Sequence, residues 1–160
     1  MILFLDFDGV LHPDPCFDEA RLFEHAPILA AALTPYADVA VVLSTAWRTQ
    51  RKLTELVAPL PAGLRERVID VTPPCVFGEA PVELLPYRRQ AECVQWLRAR
   101  GEEQLPWLAL DDRASLFEPY CEQLILCESR VGLTEATVVR LKNALLRARH
   151  KAFLRASASA

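Results

Sequence analysis

Short apolar runs recur along the chain and are separated by polar segments. Each run is too short for a helix, and most are rich in valine, isoleucine, leucine or aromatic residues. Because the runs are continuous, without alternating polar positions, they predict strands buried on both faces, as in a parallel sheet. The predicted strands cover residues 2–5, 39–43, 68–71, 107–110 and 124–126.

Segments with helical periodicity lie between these runs. Residues 24–33 are rich in alanine and leucine, and residues 47–57 and 88–100 each place apolar side chains on one face. A last helix is predicted to begin after Thr134, as its N-cap, and to run to about residue 150. The alternation predicts an α/β fold: a single doubly wound, Rossmann-like domain with a mostly parallel, five-stranded central sheet flanked by helices.

The length and composition fit one globular unit. The chain has 160 residues, of which 52% are hydrophobic, and this is enough for one core. The proline-rich stretches 59–64 and 73–86 predict surface loops. We therefore expect a domain over residues 1–152 and a C-terminal tail over 153–160, which ends in alanine and serine.

Charge and cysteine content narrow the functional class. A net charge of −3 gives no general attraction to nucleic acid or membrane, and the apolar runs are too short to span a bilayer. The five cysteines form neither a C-x-x-C pair nor a zinc-ligand spacing. Reduced thiols are typical of a cytoplasmic protein, which is our expectation for this chain, with its oligomeric state open.

Polar residues follow three of the predicted strands where each strand ends. Because ligands bind at the carboxyl ends of parallel strands, we expect these residues to form one site. They are Asp6, Asp8, Gly9, Ser44, Thr45, Asp111 and Asp112.

Converging carboxylates repel one another unless a cation neutralises them, and hard oxygen ligands suit Mg²⁺. A carboxylate beside this ion, such as Asp6, can attack phosphorus and form an aspartyl-phosphate. Asp8, two residues on, can protonate the leaving oxygen and later activate water. Gly9 allows a sharp turn that directs backbone N–H groups towards a phosphate.

These motifs resemble those of the haloacid dehalogenase superfamily of aspartate-nucleophile phosphatases. The first motif is F-L-D-F-D-G-V-L over residues 4–11, the second V-V-L-S-T over 41–45, and the fourth W-L-A-L-D-D over 107–112. They occur in the family's order and span most of the chain.

The resemblance implies a role for each matched acid. Asp6 is the expected nucleophile and a metal ligand, and Asp8 is the general acid/base, with its backbone carbonyl on the metal. Asp111 completes the Mg²⁺ site, and Asp112 is a ligand directly or through water.

The resemblance also implies that Ser44 binds the phosphoryl oxygens, with the Thr45 N–H nearby. The third motif usually supplies a lysine, but no lysine lies within residues 53–141. Arg88 and Arg89 are the cations available there. We favour Arg89 for the catalytic cation and place Arg88 in substrate binding, since arginine can clamp a phosphate with two donors.

The expected substrate is a phosphorylated molecule with access to an open site. The intervals between motifs leave no room for a sizeable cap domain, which suits a nucleic-acid end, a phosphoprotein, or a cap supplied by a partner subunit. D-D-R over residues 111–113 resembles polynucleotide 3′-phosphatases. Trp47-Arg48 resembles a bacterial subgroup of capless domains, some of them joined to RNA-repair proteins.

The leading hypothesis is therefore a Mg²⁺-dependent phosphomonoester hydrolase. The alternatives are end processing of 3′-phosphorylated nucleic acid and a non-catalytic module that binds metal or phosphate. His12 is expected to be an ordinary loop histidine, and Ser44 has the alternative role of a helix N-cap.

Overall fold

A computed structural model describes residues 1–76 and 78–158, with side chains as far as Leu154. Its centre is a five-stranded sheet in the order β3-β2-β1-β4-β5. The strands are β1 (Ile2–Leu5), β2 (Ala40–Leu43), β3 (Val68–Val71), β4 (Trp107–Asp111) and β5 (Leu124–Leu126). All four strand pairings are parallel, which confirms the predicted α/β class and makes the sheet wholly parallel.

Helices cover the sheet on both faces and connect its strands. They are α1 (Ala26–Leu33), α2 (Leu53–Val57), α3 (Ala62–Arg65), α4 (Arg88–Ala99) and α5 (Glu135–Ala158). Short 3-10 turns occur at Glu19–Arg21, Ala46–Thr49, Val82–Leu84 and Ala114–Leu116. Among the described helices, none has the length and apolar character that crossing a membrane requires.

The central strand β1 is buried on both faces. Leu3 and Leu5 pack in the larger core, which includes residues of α1 and α5. Ile2 and Phe4 point to the opposite face and pack against α4, where the Phe4 and Trp96 ring centroids are 5.8 Å apart. Burial on both faces explains the continuous apolar runs that predicted the strands.

The prediction of one helix over residues 47–57 is wrong. The segment forms the 3-10 turn Ala46–Thr49 and then the separate helix α2. The Arg48 guanidinium donates locally to the Thr45 backbone oxygen and across the fold to the Thr72 backbone oxygen, and these bonds fix the short turn. The Lys52 N–H bonds to the Glu55 carboxylate, which begins α2 afresh.

Several other elements differ from the predictions, most of them by one or two residues at an end. The stretch 59–64 is not wholly irregular, because α3 begins after Pro61, whose fixed φ suits the start of a helix. Helix α5 begins after Thr134, which accepts a hydrogen bond from the Thr137 N–H at 3.2 Å, as predicted for an N-cap. It continues beyond residue 150 to Ala158. Residues 159–160 of the predicted tail lie outside the described residues, and the division into 1–152 and 153–160 stays a prediction.

Candidate active site

Strand register brings the polar strand ends together. Leu5 is paired with the last residue of β2 and with the fourth residue of β4. The residues that follow, Asp6, Ser44 and Asp111, therefore lie side by side at one edge of the sheet. Side chains alternate along a strand, so these three point to the same face as Phe4, towards α4.

Asp6 is 4% exposed and lies at the centre of this group. Its Oδ1 accepts a hydrogen bond from the Phe7 N–H at 2.7 Å, and its Oδ2 lies 3.5 Å from the Arg89 Nη2. Burial raises the pKa of Asp6 to about 7 although the Arg89 charge opposes the shift, and the nearby Asp111 and Asp112 add to it. The folded chain without metal therefore disfavours a charged Asp6.

Asp6, Asp111 and Asp112 form an acidic cluster, with one carboxylate oxygen from each lying within 4.8 Å of the others. The Asp111 Oδ1 accepts a hydrogen bond from the Arg113 N–H at 2.8 Å. Among the described residues, the buried Asp111 Oδ2 and Asp112 Oδ1 have no hydrogen-bond partner. Burial also raises the pKa of Asp111. Three close carboxylates, two of which have a buried oxygen without a hydrogen bond to any described residue, fit a hard divalent cation such as Mg²⁺.

The two candidate arginines lie in different surroundings. Arg89 is buried, with its Nε 3.3 Å from the Asp111 Oδ2 and its Nη1 3.6 Å from the Glu92 Oε2. Burial opposes its charge, but the carboxylates of Asp6 and Asp111 raise the pKa of Arg89 above its ordinary value. The Arg88 side chain is 69% exposed and pairs with Glu92. The fold thus brings Arg89, and not Arg88, to the acidic cluster.

The Asp8 carboxylate is held by two donors. The Trp47 Nε1–H donates to its Oδ2 at 2.8 Å, and the His12 Nε2 lies 3.1 Å from its Oδ1. The His12 Nδ1 accepts from the Phe23 N–H at 3.4 Å, which assigns the proton of a neutral His12 to Nε2. Burial favours a neutral Asp8, but the hydrogen bonds from His12 and Trp47 lower its pKa below the ordinary value.

Ser44 and Thr45 are buried at the end of β2. The alternative in which Ser44 caps a helix is wrong, because the Thr45 side chain caps the 3-10 turn by accepting from the Trp47 N–H. Arg48 donates to the Thr45 carbonyl at 2.6 Å and pairs with the buried Glu92 at 2.6 Å. Glu92 therefore joins the end of β2 to Arg89 on α4.

Gly9 occupies a position that only glycine fits well. Its φ is +66°, in the left-handed region, and an added Cβ would lie 2.5 Å from the Asp112 Cγ. The missing side chain lets Asp112 approach the loop that follows β1. Gly9 thus determines where one carboxylate of the acidic cluster sits.

Four neighbours of the predicted residues were not identified as parts of the site from the sequence: His12, Trp47, Arg48 and Glu92. His12 is 1% exposed and bonded to Asp8, so it is not an ordinary loop residue. A usable signal was present, because His12 follows Asp8 by four residues and Trp47-Arg48 directly follows the second motif. Apart from its position three residues after Arg89, nothing in the sequence indicated that Glu92 lies at the site.

We predict that Gly9→Ala destabilises the protein more than Gly101→Ala does. Both glycines have a φ of +66°, but an added Cβ at Gly101 meets no atom within 4 Å. The backbone strain of about 1–2 kcal/mol is therefore common to both variants, and the excess for Gly9 reports its contact with Asp112. The measurement is the free energy of unfolding of both variants in denaturant. Equal losses would show that the Asp112 side chain moves aside at no cost in free energy.

We predict that Asp6→Asn stabilises the metal-free protein at pH 8 but not near pH 4. The pKa of Asp6 is raised from 3.8 to about 7, so the folded chain binds this proton more tightly than the unfolded chain. The wild type therefore loses stability as pH rises through this window, and the variant lacks that loss. We expect a gain of up to about 4 kcal/mol at pH 8, measured by unfolding in the presence of a chelator. If the stability gain of Asp6→Asn did not change with pH, it would not come from the raised pKa of Asp6.

The family comparison agrees with this geometry. A family model described as the HAD domain in Swiss Army Knife RNA repair proteins matches residues 2–138, a span that includes the acidic cluster, Asp8, Ser44 and Arg89. No curated protein and no solved structure matches the chain. The match covers well over half of the chain and agrees with the superfamily resemblance of its motifs. The chain belongs to the family of HAD domains found in Swiss Army Knife RNA repair proteins.

Proposed function

We propose that this domain is a Mg²⁺-dependent phosphomonoester hydrolase that uses Asp6 as its nucleophile. The observation that carries the proposal is the convergence of Asp6, Asp111 and Asp112 beside the buried Arg89. A cluster of partly uncompensated carboxylates with one fixed cation suits a reaction in which a phosphoryl group and a metal enter together.

Mg²⁺ would be held by the carboxylates of Asp6, Asp111 and Asp112 and by the backbone carbonyl of Asp8. When bound, it would neutralise the carboxylates and the phosphoryl oxygens. Among the residues of the chain, Arg89 would bind the phosphoryl oxygens through its guanidinium, together with the Ser44 hydroxyl and the Thr45 N–H. Arg88 stays a candidate for contacts with a larger substrate, outside the acidic cluster.

In the first half-reaction, an Asp6 carboxylate oxygen attacks phosphorus while the bond to the leaving oxygen breaks. Protonated Asp8 gives its proton to that oxygen, which leaves as an alcohol. The product on the protein is an aspartyl-phosphate at Asp6. Arg89 stabilises the charge on the phosphoryl oxygens throughout this step.

In the second half-reaction, water attacks the phosphorus of the aspartyl-phosphate. Asp8 takes a proton from the water, and the bond to Asp6 breaks to release phosphate. The hydrogen bonds from His12 and Trp47 favour the ionised form of Asp8, which is the form that this step requires. Their second effect is to fix the orientation of the carboxylate.

We further propose that the substrate is the 3′-phosphorylated end of a nucleic acid. The family name refers to RNA repair, and Arg113 follows the acidic pair as in the resemblance noted above. The open site also suits a phosphoprotein, but no feature of the described residues favours a peptide. A cytoplasmic location fits the five free cysteines.

A non-catalytic role is the remaining alternative, since arginine replaces the usual lysine. The enzymatic and the non-catalytic hypotheses are distinguished by assaying a panel of phosphate esters in the presence of Mg²⁺. The panel includes 3′-phosphorylated oligonucleotides and small sugar phosphates. Release of phosphate supports an enzyme, whereas binding without turnover on the whole panel favours the module. Turnover of sugar phosphates alone would contradict the nucleic-acid substrate.

We predict that Asp6→Asn lowers kcat by about 10³-fold or more on any ester that the wild type hydrolyses, because the amide is a poor nucleophile. The control is Asp38→Asn, which changes an exposed carboxylate at the opposite edge of the sheet and should leave kcat unchanged. Circular dichroism verifies that both variants fold. Retained turnover in Asp6→Asn would refute the proposed nucleophile.

We predict that His12→Leu lowers kcat more than His12→Gln. Both replacements fill the buried position, but only glutamine keeps an N–H that can reach the Asp8 carboxylate. We expect about a tenfold loss for leucine, part of the effect of general acid/base catalysis, and partial recovery for glutamine. The ratio of the two kcat values is the measurement, and equal losses would mean that His12 has only a packing role.

A further inference from the structure

A groove opens next to the residue that would protonate the leaving group. The Trp47 indole contacts Asp8, because its Nε1–H donates a hydrogen bond to the Asp8 carboxylate at 2.8 Å. A groove of about 310 Å³ beside it is lined by Ala46, Trp47, Gln50 and Arg51. Because a general acid must contact the leaving oxygen, the proposed role of Asp8 would bring the body of the leaving group close to this groove.

The Trp47 ring is fixed in place before any substrate binds. The rings of Phe7 and Phe23 pack against it nearly at right angles, with centroid distances of 5.9 and 5.6 Å. The His12 ring lies on a further side at 6.0 Å. With its N–H bonded to Asp8, the indole has one orientation, so little entropy is lost when a ligand contacts it.

Arg51 lies over this ring, with its guanidinium carbon 4.3 Å from the ring centroid. The residue is exposed, and among the described side chains no carboxylate pairs with it. Arg113, which follows Asp112 in sequence, and Arg88, which precedes Arg89, each pair with a carboxylate. Arg51 is therefore the cation beside this groove that stays available to a ligand.

We propose that Trp47, Gln50 and Arg51 form a leaving-group subsite that takes the terminal nucleobase of a phosphorylated nucleic-acid end. This inference rests on the proposed function, since it needs the leaving oxygen at Asp8. A guanidinium lying on an indole presents a cationic surface on which a planar base stacks. The Gln50 amide can donate to and accept from base edges.

The dimensions of the groove agree with a single nucleoside. Its volume of about 310 Å³ is at the lower limit of small-molecule sites, which suits one base with its sugar. Stacking tolerates every base because each has a flat face, so the subsite predicts little sequence preference. A phosphoserine peptide offers no planar group at the corresponding position.

The test compares two single-stranded oligonucleotides that carry the same 3′-phosphate. One has a normal terminal nucleotide, and in the other that nucleotide lacks its base. We expect the wild type to show about a tenfold lower KM for the substrate with the base, as stacking on one side chain provides. Arg51→Ala should remove most of this difference, and Arg51→Lys, which keeps the charge but not the planar group, should restore little of it.

The matched control is Arg98→Ala, which removes an exposed arginine from the far end of α4 and should leave the KM ratio at its wild-type value. The subsite proposal would be overturned if the wild type had the same KM for the two oligonucleotides. It would also be overturned if Arg51→Ala left the ratio of the two KM values unchanged, or if Arg51→Lys restored that ratio fully. A phosphotyrosine peptide with the same dependence on Arg51 would overturn the assignment to nucleobases.

Failure of the proposed function is a separate outcome. If the wild type hydrolyses no ester, including glycerol phosphate, the hydrolase proposal fails. Fluorescence anisotropy with the same two oligonucleotides then decides the subsite. The subsite is supported if the oligonucleotide with the terminal base binds more tightly and this advantage is lost in Arg51→Ala. Equal binding of the two oligonucleotides contradicts the subsite.

Discussion

Three carboxylates held close together at the ends of two neighbouring buried strands, β1 and β4, are the constraint on which this site depends. Burial and mutual repulsion raise the pKa of Asp6 to about 7, even though Arg89 lies beside it. One arginine therefore compensates only part of the charge. The fold retains this unfavourable arrangement because the parallel register of β1 and β4 leaves Asp6 and Asp111 no other position. A bound cation would relieve the repulsion, so the proposed metal binding and chemistry would be linked to stability at this point.

Two adjacent residues of the same 3-10 turn, Trp47 and Arg48, contact groups around the acidic cluster. Trp47 extends to Asp8 and fixes the expected acid/base. Arg48, its neighbour, pairs with Glu92, which lies next to Arg89 on α4. One short turn after β2 thus orients groups on both sides of the expected phosphoryl position.

The sequence predicted those parts of the molecule that depend on local pattern. Strands buried on both faces are continuous apolar runs, and the rule that ligands bind at strand ends then grouped Asp6 with Asp111. The partners of Asp8 depend on how a loop folds back, so the four-residue spacing between Asp8 and His12 did not by itself indicate their contact. The choice between Arg88 and Arg89 depended on the rotation of α4, which its first turn alone does not reveal. The short turn at residues 46–49 was missed because the tertiary bonds of Arg48 to Thr72 and Glu92 override helical periodicity there.

The most direct test is to trap the phosphoryl group on the protein. Asp8→Asn should slow hydrolysis of the intermediate, so brief reaction of this variant with ³²P-labelled substrate and Mg²⁺, followed by acid quenching, should leave label on the chain. The account predicts label on the peptide that contains Asp6, released by hydroxylamine as expected for an acyl phosphate. Label on another residue, or steady turnover by this variant with no labelled protein, would contradict it.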